Sequence, residues 1–64
     1  MNRYLRNEID DCISELNSII RQLYSLSNDI SRNISGMNTK KYTRSLEKSA
    51  EKYQKAVNKL YKIK

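Results

Sequence analysis

Apolar residues recur along the chain in alternating steps of four and three residues. The steps are unbroken from Leu5 to Ile30, and a second series with Ser49 at one of its positions runs from Tyr42 to Ile63. This spacing places the apolar side chains on one face of an α-helix, in the heptad pattern of a coiled coil. The pattern therefore predicts two helices, over about residues 3–33 and 39–63.

The segment between the two series carries the signals of a turn. Gly36 is the only glycine of the chain, and it stands where the first helix should end, because glycine adopts the left-handed conformation without a steric penalty. Asn38 or Thr39 can cap the second helix by accepting a hydrogen bond from an early backbone N–H. The alternative is one long helix that tolerates the glycine, but the capping residues that follow it favour a hairpin.

The heptad positions of the two series support the same turn. The a positions are Ile9, Leu16, Leu23, Ile30, Leu46, Tyr53 and Leu60, and the d positions are Leu5, Cys12, Ile19, Leu26, Tyr42, Ser49, Ala56 and Ile63. When a of one helix is paired with d of an antiparallel mate, all the pairs are centred on Gly36. We therefore expect an all-α fold: a two-helix antiparallel coiled-coil hairpin with its turn at Gly36, forming one domain over residues 1–64.

A further set of apolar residues lies beside this seam, at positions e and b. A two-helix seam covers only positions a and d, whereas helices of larger bundles carry apolar residues at three positions in seven. We therefore predict that the e and b residues bind a partner, and that two hairpins join into a four-helix bundle. The alternative is that they only thicken the hairpin core. The predicted partner-binding residues are Ile13, Ile20, Tyr24, Ala50, Val57 and Tyr61.

Charge is distributed unevenly between the two halves. Residues 1–36 carry four basic and five acidic side chains, and residues 37–64 carry nine basic and two acidic ones, so the net charge of +6 comes from the second half. Six lysines of the second helix lie at positions c and g, where they predict a continuous basic stripe. This Lys stripe consists of Lys41, Lys48, Lys52, Lys55, Lys59 and Lys62.

The Lys stripe has more than one interpretation. Lysines along a helix release counterions from nucleic acid, so they could bind phosphates without reading sequence. They could also meet an acidic protein or an anionic lipid surface. The simplest interpretation is a solvated face that keeps a small protein in solution. Arginine, the residue of bidentate base recognition, occurs in the second helix only as Arg44, which argues against sequence-specific recognition.

Residue types that support catalysis or cofactor binding are scarce. The chain has one cysteine and no histidine, which excludes an internal disulfide, a Cys/His zinc site and a His-activated nucleophile. Asp10, Asp11 and Glu15 lie close together in sequence, but on a polar face where a solvated acidic patch is the simpler interpretation. We expect no metal, no cofactor and no enzymatic activity.

A chain this short gains only about 3–5 kcal/mol from its own core, so burial against another subunit is an attractive source of stability.

The sequence also suggests a compartment. No apolar run approaches the roughly 18 residues of a membrane span, and the first residues lack the apolar stretch of a cleavable signal peptide. We therefore expect no membrane span and a cytoplasmic protein, with export by a signal-less route as the alternative.

The turn resembles that of the WXG-type helical hairpins exported by type VII secretion systems. Those proteins join two antiparallel helices by a Trp-x-Gly turn and carry an aromatic residue early in the second helix. Here Ile34, Ser35 and Gly36 occupy the place of the turn, and Tyr42 that of the aromatic residue. The Trp is replaced by Ile34, and no Tyr-x-x-x-Asp/Glu export signal follows the second helix. The resemblance implies a dimeric export partner or adaptor.

These observations together indicate a non-catalytic protein–protein interaction module. Its partner would be a second copy of itself, as a homodimer, or another helical protein. Such a module would act as an adaptor, a chaperone-like partner or an inhibitor of a larger protein, in a bacterium, a phage or a plasmid host. The alternative function is non-specific nucleic-acid binding through the Lys stripe.

Overall fold

Two long antiparallel helices make up the computed structural model, which describes residues 2–34, 36 and 38–64. Helix α1 is Arg3–Asn33 and helix α2 is Thr39–Ile63, and the two helices pack against each other. The hairpin measures 51 × 15 × 9 Å along its principal axes. The predicted all-α hairpin is confirmed, with the predicted helix bounds and the turn around Gly36. Met1, Ser35 and Met37 lie outside the described residues.

Helix α1 has a defined beginning and end. Asn2 is its N-cap, and the side-chain oxygen of Asn2 accepts a hydrogen bond of 2.8 Å from the backbone N–H of Leu5, which satisfies one of the free amides of the first turn. Ile34 adopts an extended conformation after the last helical residue, with φ −123° and ψ 123°. The helix therefore ends at Ile34 by a change to extended backbone, two residues before the glycine.

Gly36 acts in the turn itself. Its φ of 157° is a positive value that residues with a Cβ rarely adopt. The Thr39 amide donates to the Gly36 carbonyl at 3.3 Å, and the Thr39 hydroxyl donates to the Ile34 carbonyl at 3.3 Å, so Thr39 ties the start of α2 to the end of α1. Asn38 occupies the N-cap position of α2 but makes no side-chain capping bond.

The hairpin core lies at positions a and e rather than at a and d. Its fully buried apolar side chains are at position e, with exposed fractions of 8% or less, and half-buried side chains at position a pack against them. The e residues are Ile13, Ile20, Ala50 and Val57, and the a residues are Ile9, Leu16, Leu23 and Leu60. The predicted a/d seam is therefore wrong: each helix is rotated by about 50°, half the angle between successive residues.

The side chains at the a/d seam explain this rotation. A seam at a and d would enclose Tyr42 at position d, whose hydroxyl group would need a hydrogen-bond partner inside the core. After the rotation Tyr42 is 58% exposed. Position a lies beside the contact in both arrangements, and Tyr53 at that position is 40% exposed. The small residue Ala50 then lies at the centre of the contact, where it is 0% exposed and lets the two backbones approach closely.

Two polar contacts hold the two helices in register on the side of the hairpin that is formed by positions e and b. Near the turn, the buried Ser27 hydroxyl donates to Glu47 Oε1 at 3.5 Å, and near the open end Lys64 forms an ion pair with Asp10. The g positions point away from the contact, because g lies far around the helix from a and e. They therefore form no cross-helix ion pairs among the described residues.

Shortening Ile20 should destabilise the hairpin strongly. Ile20 is 8% exposed, and Ile20→Ala should cost about 2–4 kcal/mol because it leaves a cavity between the helices. That is a large part of the roughly 3–5 kcal/mol that a core of this size provides. Urea unfolding followed by circular dichroism measures the change, with the exposed neighbour as the control in Arg21→Ala. Equal unfolding midpoints for the two variants would contradict the assignment of Ile20 to the core.

The same substitution at the two helix ends that face the turn should have opposite effects. The first turn of α2 contains no acidic residue, so Asn38→Asp adds a favourable negative charge at a helix N-terminus, worth about 0.5 kcal/mol. Asn33→Asp removes the amide that donates to the Asp29 carbonyl at 3.0 Å and places a negative charge at a helix C-terminus. The thermal midpoint should rise for the first variant and fall for the second. Shifts of the same sign would show that the helix dipoles do not govern this end.

Candidate interaction surface

The rotation of the helices leaves several large apolar side chains exposed outside the core. Equivalent heptad positions of two antiparallel helices lie on the same side of the pair, so the d positions of α1 and α2 share one side of the hairpin. We call this side the apolar face. Its large exposed residues are Leu5, Ile19, Leu26, Tyr42 and Ile63, the first three on α1 and the last two on α2.

The large side chains of the apolar face are about half exposed. Leu26 is 48% exposed, Leu5 49% and Ile63 58%, and the half-buried a residues lie beneath them. Isolated apolar residues are normal on a protein surface, whereas a contiguous apolar patch that follows both helices is typical of an interaction site. Cys12 lies in the same row as Ile19, and it is exposed. The face therefore carries the chain's one thiol.

Opposite charges border the apolar face on its two long edges. Position g lies next to d on each helix, and it is occupied on α1 by Glu8, Glu15 and Asp29 and on α2 by Lys52 and Lys59. All five side chains are exposed. The face thus has an acidic edge along α1 and a basic edge along α2, and this arrangement gives it a polarity that a partner can complement.

The residues predicted to bind a partner divide into two groups. The first group is buried between the helices and consists of Ile13, Ile20, Ala50 and Val57. The prediction that these residues are free to bind a partner is therefore wrong. The alternative, that they thicken the hairpin core, is correct for them. Their burial follows from the rotation that brings position e to the centre of the contact. The surplus of apolar residues inferred from the heptads exists, but on the d side.

Tyr24 and Tyr61, the other two predicted residues, lie at position b on the flank opposite the apolar face. They are 43% and 54% exposed, respectively. The Nζ atom of Lys64 lies 5.6 Å from the centre of the Tyr61 ring, a cation–π contact at the open end of the hairpin. The structure does not bring these two rings into the apolar face.

All six residues of the Lys stripe are exposed on the outer side of α2. At the end near the turn, four basic side chains line a shallow groove: Lys40, Lys41, Arg44 and Lys48. The stripe predicted from the heptads therefore extends into a cluster at the start of α2. Lys40 and Arg44 were outside the predicted stripe, although their spacing of four residues places them on one side of the helix.

The described residues give little basis for metal binding. No three side chains of His, Cys, Asp or Glu come together among them, and Asp10 is paired with Lys64. Neither α1 nor α2 is long and apolar enough to cross a membrane.

Comparison with known proteins returned no match: no family model, no curated protein and no solved structure is similar to this chain. The resemblance to WXG-type hairpins stays a prediction, carried by Gly36 and Tyr42. Any functional proposal therefore depends on the surface of the hairpin itself.

Proposed function

We propose that this protein is a non-catalytic protein–protein interaction module that binds through its apolar face. The observation that carries this proposal is the row of apolar side chains exposed along one side of both helices. Burying the exposed half of Ile19 and of Leu26 would stabilise a complex by about 1 kcal/mol for each side chain. As an adaptor, chaperone-like partner or inhibitor, the module would offer an amphipathic helix pair to a second helical surface.

The heptad pattern supports a helical partner rather than an extended peptide. The d residues follow each other at steps of seven along both helices, so the ridges of the face match the grooves of another helix. A β-strand would need unpaired backbone groups at a sheet edge, and a helix pair has none along its length. The partner is therefore expected to present its own apolar stripe of helical spacing.

Placing charges in the apolar face should abolish binding without unfolding the hairpin. In the double variant Ile19→Glu and Leu26→Glu, two carboxylates replace apolar contacts that a bound partner would desolvate. The variant and the wild-type chain are immobilised and used to capture proteins from the cells that encode the chain. The matched control is Ser14→Glu with Asn28→Glu, which adds the same two carboxylates at exposed positions on the outer side of α1 and changes the net charge equally.

We expect proteins captured by the wild-type chain and by the control to be lost from the face variant. Circular dichroism should report the same helix content for all three chains, since both sets of substitutions are at exposed positions. The same captured proteins on all three chains would contradict a role for the apolar face.

Non-specific nucleic-acid binding is the second candidate function. It is favoured by the groove lined by Lys40, Lys41, Arg44 and Lys48, which continues into the Lys stripe. A row of lysines on one helix can follow a phosphate backbone, and the affinity then depends strongly on salt. We rank it below the interaction module because no exposed aromatic ring lies within the stripe to stack on bases.

Removing charge from the stripe tests this second candidate. The fourfold variant Lys48→Gln, Lys52→Gln, Lys55→Gln and Lys59→Gln should weaken binding to duplex DNA, with the slope of log affinity against log salt falling by roughly 0.9 for each lost phosphate contact. The control replaces four arginines of α1, which lowers the net charge equally: Arg3, Arg6, Arg21 and Arg32 to Gln. Fluorescence anisotropy measures both. We expect weak wild-type binding; submicromolar affinity at physiological salt, lost only in the Lys variant, would make DNA binding the principal function.

A further inference from the structure

The single hairpin exposes more surface than a compact protein of its mass. Its accessible area is 5410 Å², whereas a compact monomer of 7.6 kDa exposes about 4,300 Å². Its radius of gyration is 15.1 Å, against about 11 Å for a compact chain of this length. The excess of about 1,100 Å² per chain is comparable with the roughly 800 Å² that each partner buries in a specific complex of standard size.

We propose that the occupant of the apolar face is a second copy of this chain, bound so that α1 of each copy lies against α2 of the other. This inference deepens the proposed function by naming the partner. The two hairpins pack apolar face against apolar face around a twofold axis parallel to the helices. The product is a four-helix bundle in which all neighbouring helices are antiparallel and both turns are at the same end.

The charged edges select this arrangement over its alternative. A twofold axis perpendicular to the helices would place α1 on α1 and α2 on α2, with acidic edge against acidic edge and basic edge against basic edge. An axis parallel to the helices brings Glu15 near Lys59 of the partner subunit instead. Opposite charges along both outer edges favour the second arrangement, and like charges disfavour the first.

The sizes of the facing side chains agree with this choice. A rotation about an axis parallel to the helices does not move any residue along that axis. Each residue of α1 therefore faces, in the partner subunit, the same part of α2 that lies beside it in its own hairpin. The contacts of Asp10 with Lys64 and of Ser27 with Glu47 define those levels. Along the d positions, large residues then face small ones in the partner subunit: Ile19 faces Ala56, Leu26 faces Ser49, and the small Cys12 faces Ile63, each within about one residue rise of 1.5 Å.

The acidic edge also argues against a membrane as the occupant. An amphipathic element that lies on anionic lipid carries basic residues along its polar border. Here one border of the apolar face is acidic, so an anionic headgroup layer would repel the α1 side while attracting the α2 side. A second copy complements both edges.

A disulfide can report the arrangement directly, because Cys12 already lies in the face. In Ile63→Cys, the introduced cysteine should lie opposite Cys12 of the partner subunit, with Cα atoms about 5–6 Å apart, which is suitable for a disulfide. The two cysteines of one chain sit side by side on helices with axes about 8–10 Å apart, too far to join. Mild oxidation of Ile63→Cys should therefore give a covalent dimer on a non-reducing gel.

Two further variants control the experiment. Tyr61→Cys places the new thiol on the opposite flank and should remain monomeric on the gel. Leu26→Cys reports the rejected arrangement, since antiparallel packing of α1 on α1 about the middle of the helix, near residue 18, would bring Cys12 close to the level of the new cysteine of the partner subunit. Efficient cross-linking of Leu26→Cys in place of Ile63→Cys would overturn the proposed arrangement.

Sedimentation equilibrium of the wild-type chain tests the dimer without any substitution. We expect the mass of a dimer at micromolar concentrations, and the mass of a monomer for Ile19→Glu with Leu26→Glu. A wild-type chain that remains a monomer across a hundredfold range of concentration would overturn the inference. Protection of Cys12 from a thiol reagent only when phosphatidylglycerol vesicles are added to such a monomer would also overturn it, because a membrane would then be the occupant of the apolar face. If that monomer still captures other proteins through its face, the proposed function stands and only the second copy fails. If capture also fails, both are wrong.

Discussion

Each helix of this protein carries apolar residues at three heptad positions, and one neighbouring helix can bury only two of them. This mismatch determines the rest of the structure. The hairpin buries the apolar residues at position e fully and those at position a in part, and it leaves the large apolar residues at position d exposed on both helices. Because the helices are antiparallel, the two exposed rows fall on the same side. One packing choice inside the hairpin therefore creates both the core and the apolar face.

That choice is governed by side-chain size and polarity. Ala50 and Val57 are small or branched close to the backbone, so they fit at the centre of a narrow helix contact, where Ile13 and Ile20 fill the remaining space. Tyr42, at position d, carries a hydroxyl group that is costly to bury without a partner. Exposing Tyr42 avoids that cost and leaves its hydroxyl group on the apolar face, where it can bind water.

The separation of charge between the helices adds direction to the apolar face. A hairpin with mixed charges on both edges could pair with a second copy in several ways. With Glu15 on one edge and Lys59 on the other, an occupant is recognised by its orientation as well as by its apolar stripe. This is how electrostatic complementarity contributes specificity when the apolar contact contributes most of the affinity.

Much of the architecture could be predicted from the sequence. The steps of three and four residues, the single glycine and the absence of proline determine two helices, their bounds and their antiparallel turn, because these features act through local backbone preferences and periodicity. Gly36 was correctly placed in the turn, although Ile34 and not the glycine ends α1. The division of charge and the presence of a surplus apolar row also follow from the sequence alone.

Only the tertiary structure decided which apolar row is buried. Positions d and e both flank position a, and the heptad pattern is equally compatible with a contact centred on either side. Whether d or e is buried depends on how Ala50 packs against its neighbours and on whether the Tyr42 hydroxyl is buried or exposed. Neither is a local property of the chain. Ile20 and Ile19 are adjacent in sequence and identical in chemistry, yet one is in the core and the other lies on the apolar face, because a rotation of about 50° separates the two arrangements.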